Sequence, residues 1–168
     1  MHEEGRYTRR RLLSAGGAAA AGVLMATAAP ALADSGHELV GSWLATVTAT
    51  KPPLGSFASL LSFHGDGTLT ESRRLYVADS PLGPLLETGG HGAWERTGPG
   101  RYEAFFRFLL QQAPPSAGAP VGTDDITLQL EVEGAGMLGG TFSSTIKNTE
   151  GHAVFTASGT VVGESIDV

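Results

Sequence analysis

The chain has 168 residues, with 11 basic and 17 acidic side chains, a formal net charge of −6 and no cysteine. The lack of cysteine excludes disulfide staples, thiol nucleophiles and thiolate metal sites. The acidic balance disfavours nucleic acid and anionic membrane surfaces, which reward basic patches, and it serves solubility.

The first element in chain order is an export signal over residues 1–33. Thr8-Arg9-Arg10-Arg11-Leu12-Leu13 leads into a run of Ala and Gly that ends at Ala31-Leu32-Ala33, ahead of Asp34. A charged start, an apolar middle and a small-residue cleavage site are the parts of a removable signal. The paired arginines point to the twin-arginine route. The alternatives are an arginine-rich ordinary secretory signal and an uncleaved anchor. The run is interrupted by Gly and shorter than the roughly 20 apolar residues a stable span needs. Cleavage after residue 33 of 168 leaves 135 residues, one domain able to bury a core unaided. No cysteine follows the signal, so no lipid anchor is available, and the released domain has no stable membrane anchor.

Beyond residue 34 helix signals are nearly absent, and strand signals recur between Gly, Pro and Asp. Eight strands are predicted, at Leu39 to Thr50, Phe57 to His64, Thr68 to Val77, His91 to Thr97, Arg101 to Gln111, Thr123 to Glu133, Met137 to Lys147 and Ala153 to Gly163. Gly65-Asp66-Gly67, Gly98-Pro99-Gly100 and Gly134-Ala135-Gly136 read as tight connections, because Gly and Asp tolerate positive φ. Asp79 to Gly90 and Pro114 to Gly122 read as longer loops of the kind that cover a barrel mouth. The pattern predicts an all-β, eight-stranded antiparallel up-and-down β-barrel, with a two-sheet sandwich as the alternative. Closure removes exposed edges. It leaves an interior that side chains fill or that holds one small ligand.

Gly41-Ser42-Trp43 at the head of the first predicted strand resembles the Gly-x-Trp signature of the lipocalin and calycin group. In that group the Trp closes one end of the barrel. Phe63-His64-Gly65-Asp66-Gly67-Thr68-Leu69 and Gly92-Ala93-Trp94 resemble segments of small exported bacterial barrel proteins without an assigned activity. As a strand pattern the resemblance covers most of the chain beyond residue 34. It implies a lipocalin/calycin-like barrel. A second similarity, in architecture alone, is to the allene oxide cyclase type of barrel, which includes cofactor-free cyclases of natural-product pathways.

Alternation selects the inward side chains. It places Phe57, Ser59, Leu61 and Phe63 inside, then Leu69, Glu71, Arg73 and Leu75, with Thr70, Ser72 and Arg74 outside. Gly92, Trp94 and Arg96 share the inner face of the fourth predicted strand, and Tyr102, Ala104, Phe106, Phe108 and Leu110 that of the fifth. Ile126, Leu128, Leu130 and Val132 point in, alternating with Thr127, Gln129, Glu131 and Glu133. A charge inside a barrel is costly unless paired or solvated. Glu71 and Arg73 therefore pair with each other near the rim, lie outside after a bulge, or contact a ligand.

Phe63, Leu69, Glu71, Arg73, Trp94, Tyr102, Phe106 and Phe108 form the candidate ligand-binding set. The aromatic members also suit a plain core. Glu71 is the candidate general acid or base, with His91 or Tyr102 as helper. His37, His64 and His152 lack the spacing of a metal site, so no metal is expected. No Gly-x-Ser-x-Gly elbow, phosphate cradle or other cofactor motif is present, so no cofactor is expected. Three functions remain open. They are an exported barrel binding a small, largely apolar molecule, a cofactor-independent cyclase or isomerase of an apolar metabolite, and a ligand-free structural or interaction barrel.

Overall fold

The computed structural model describes residues 38–50, 55–73, 76–78, 80–114, 118–134 and 136–166. The predicted export signal lies outside the described residues, as do His37, Arg74 and Leu75. Ten strands follow in chain order: β1 (Gly41–Ala49), β2 (Ser56–Phe63), β3 (Thr68–Arg73), β4 (Tyr76–Val77), β5 (Leu85–Glu87), β6 (Gly90–Gly98), β7 (Arg101–Gln112), β8 (Pro120–Gly134), β9 (Met137–Asn148) and β10 (Ala153–Ser165).

All pairings are antiparallel, and the sheet closes on itself through β7 and β8. Eight strands form the closed barrel: β1, β2, β3, β6, β7, β8, β9 and β10. This is the predicted up-and-down meander, and closure excludes the sandwich. The two short strands extend it at one end. β5 pairs with β7 beyond the start of β6, with Glu87 opposite Leu110, and β4 pairs with β5. The expected loop from Asp79 to Gly90 thus carries a strand. Three residues are too few for alternation to register against the surrounding Pro and Gly. β8 likewise begins at Pro120, inside the second expected loop.

Tight turns join β2 to β3, β6 to β7 and β8 to β9 at one end. Gly67 adopts φ 83° and Gly100 φ 66° there, a left-handed conformation that costs glycine nothing. Trp43 fills this end from within, and its indole Nε1 donates to the Leu39 carbonyl at 2.9 Å. The Trp94 ring meets Phe63 edge-on at 6.2 Å and Tyr102 at 5.7 Å.

Strand parity follows the predicted alternation. Leu61, Phe63, Leu69, Glu71, Phe106, Phe108, Ile126 and Leu128 are buried, while Leu60, Ser72, Phe105 and Leu109 are exposed. Glycine on β6 lets the backbone and the Phe106 and Phe108 side chains of β7 approach closely. A Cβ on Gly92 would stand 1.9 Å from the Phe105 carbonyl oxygen, and one on Gly90 would stand 2.9 Å from the Phe106 ring.

Candidate functional site

The other end of the barrel bears the longer connections, and polar side chains gather inside it. Arg73 closes β3 and points inward, as its odd parity requires. Its Nε and Nη2 donate to the two carboxylate oxygens of Glu87 at 2.9 and 3.0 Å, a bidentate pair. The same Nη2 donates to Asp124 Oδ2 at 3.0 Å. The guanidinium also stacks on Phe108, 4.2 Å from the ring centre, with Phe57 at 5.4 Å. Burial works against this charge, but Glu87 and Asp124 outweigh it and raise the Arg73 pKa above its usual value. Ser144 on β9 donates to the second oxygen of Asp124 at 2.7 Å.

Glu71 stands one step deeper. It is 4% exposed, and its Oε1 accepts a short hydrogen bond from Ser59 on β2. Its Oε2 is buried and has no hydrogen-bond partner among the described residues. Burial pushes the Glu71 carboxyl up to about 7. Arg73 and Ser59 pull it down, while Glu87 and Asp124 push it further up. The expected Glu71–Arg73 ion pair is not the one that forms, because the guanidinium is turned to Glu87 and Asp124 instead.

A cavity of about 60 Å³ opens beside this cluster. Phe57, Val77, Leu85, Phe142, Ile146 and Phe155 make its apolar wall, and Arg73, Glu87, Asp124 and Ser144 its polar one. A second void of about 20 Å³ lies deeper, bordered by Ser59, Glu71, Arg73, Phe106 and Phe142 among others. One water needs roughly 10–15 Å³ of such space, so the upper cavity suits a few heavy atoms and the lower one a single small group.

The candidate residues fall into three places. Glu71, Arg73, Phe106 and Phe108 belong to the cluster or to the void below it. Phe63, Leu69, Trp94 and Tyr102 pack in the core and closed end and do not line the cavity. Tyr102 is six residues from Phe108 along β7, roughly 20 Å at the usual rise. Its buried hydroxyl has no hydrogen-bond partner among the described residues, and burial raises its pKa. His91 is exposed on the outer face, opposite Arg107 and Thr70, so the sheet separates it from the interior. Neither helper proposed for Glu71 therefore stands beside its carboxyl.

Sequence reasoning missed Glu87 and Asp124. Asp124 shares the parity of Ile126 and Leu128 and was legible by carrying that alternation two residues back. Glu87 had no such signal, because its strand was hidden in a Pro/Gly-rich segment. Among the described residues, no group of three or more His, Asp or Glu side chains is arranged to hold a metal ion. The closed barrel is consistent with a calycin-like architecture. Comparisons with protein-family models, curated proteins and solved structures give no match to this chain.

Proposed function

We propose that this chain is an exported barrel that holds a small, largely apolar molecule at its loop-bearing end, with Glu71 or Arg73 fixing the molecule's polar end. The observation that carries this reading is an apolar cavity of about 60 Å³ beside a buried, hydrogen-bonded charge cluster. Ligand sites have this composition, apolar walls with a few placed polar groups. The cavity size restricts the occupant to a short molecule. The test is a ligand-observed NMR screen of small apolar compounds against the parent and Ile146→Phe, which fills the cavity. Binding to the parent that is lost in the folded variant supports the reading. If no compound binds, or the filled variant binds as well, a ligand-free structural barrel is the better account.

One observation favours a second reading, that of a cofactor-independent isomerase or cyclase. A carboxyl held at about 7 both gives and takes a proton near neutrality. Glu71 would act alone as acid and base on a substrate oriented by the cavity wall. Deuterium uptake at the α-carbon of a small ketone, dependent on Glu71, would support it. No uptake above the buffer rate would refute it.

A further inference from the structure

Resting on the binding reading above, we infer that the ligand's polar end is a primary ammonium group received by Glu71. Three observations converge on it. The first is the unpartnered oxygen. Glu71 Oε2 is buried without a hydrogen-bond partner among the described residues, and Glu71, 4% exposed, is one of the residues bordering the void of about 20 Å³. Buried carboxylate oxygens are ordinarily met by a donor.

The second is the charge balance. Among the described residues, the charged groups acting on Glu71 are Arg73 on β3, Glu87 on β5 and Asp124 on β8, with Ser59 on β2 as hydrogen-bond donor. Arg73 commits Nε and Nη2 to the two other carboxylates. One guanidinium and two carboxylates sum to a formal charge of −1. Over these three groups the balance favours a cation at Glu71 over an anionic ligand such as a fatty acid.

The third is shape. The lower void admits one water-sized group, and an ammonium nitrogen is that size. The upper cavity takes a short alkyl body, and Arg73 and Phe142 border both spaces. A short alkylamine would span the two. Without ligand the burial of Glu71 favours its protonated form. The arriving ammonium replaces that proton as the source of neutrality, and the proton leaves to solvent.

The test compares n-propylamine, n-propanol and propionate by isothermal titration calorimetry on the purified protein near pH 7. The expected result is that the amine binds about tenfold or more tightly than the alcohol, the worth of one hydrogen bond to a buried charge. Propionate should not bind. Amine binding should release protons, seen as an enthalpy that depends on the buffer's ionisation heat, and Glu71→Gln should erase the amine's advantage. An alcohol that matches the amine, a preferred propionate, or amine binding without proton release overturns the inference and leaves the binding reading standing. If none of the three binds, the inference falls, and the cavity screen decides the binding reading by itself.

Discussion

The burial of Glu71 imposes a pH dependence on folding that one substitution isolates. The carboxyl stands at about 7 in the fold against 4.5 in an open chain. Below about pH 4.5 both states hold the proton and Glu71 costs nothing. Between about 4.5 and 7 the fold keeps a proton that the unfolded chain has released, so stability falls as pH rises. Above about 7 both states are ionised and the loss is complete. At roughly 1.4 kcal/mol per pKa unit, the gap is worth about 3 kcal/mol. Glu71→Gln keeps the side-chain shape, can still accept from Ser59 and does not titrate. Urea unfolding of both proteins from about pH 4 to about pH 8 gives the difference at each pH, in which carboxylates not coupled to Glu71 cancel. The Gln variant should gain on the parent by about 3 kcal/mol across that range. A difference that is flat with pH, or that moves toward the parent as pH rises, would refute the account of Glu71 as a carboxyl destabilised by burial.

Arg73→Met should cost about 3–5 kcal/mol at neutral pH, because it removes the guanidinium that bonds two buried carboxylates. Adding Asp124→Asn should return part of that loss in chemical denaturation, and a cost below about 1 kcal/mol would mean that solvent already screens the cluster. Gly92→Ala should lose about 3 kcal/mol in thermal unfolding, since a Cβ 1.9 Å from a backbone oxygen forces β6 away from β7. A melting temperature equal to the parent's would contradict the close approach of these strands. Trp43→Phe should cost about 1–3 kcal/mol by removing the donor to the buried Leu39 carbonyl. A neutral effect in urea unfolding would show that the carbonyl finds another partner.

Local chemistry made most of the barrel legible. The turns at Gly65-Asp66-Gly67 and Gly98-Pro99-Gly100 are read directly because a short run of Gly, Asp and Pro limits the backbone to a few conformations. Parity along a strand is equally local, since successive side chains point to opposite faces. That alone places Glu71 inside with Leu69, and Ile126 with Leu128. Parity ran out where strands are interrupted. β5 has three residues and β4 two, too short to announce themselves, and Glu87 rides on one of them. The aromatic candidates show a different limit. Phe63, Trp94 and Tyr102 share the inner face with Phe108, but parity says nothing about height along the barrel axis, which divides a packed floor from a cavity wall.

By itself, then, the sequence determined an all-β chain of short hairpins, the face on which the side chains of β2, β3, β7 and β8 lie, and the presence of Glu71 and Arg73 on the inner one. These follow from backbone sterics and period-two alternation, which need no knowledge of distant residues. Only the closed tertiary structure decided how those charges are satisfied. Arg73 passes over Glu71, two residues away, and bonds Glu87 and Asp124, which are 14 and 51 residues distant. Curling the sheet until β7 meets β8 carries Asp124 across the interior to the guanidinium and leaves one oxygen of Glu71 without a partner among the described residues. Pairing across a barrel depends on stagger and closure, and neither is written in the residues of a single strand.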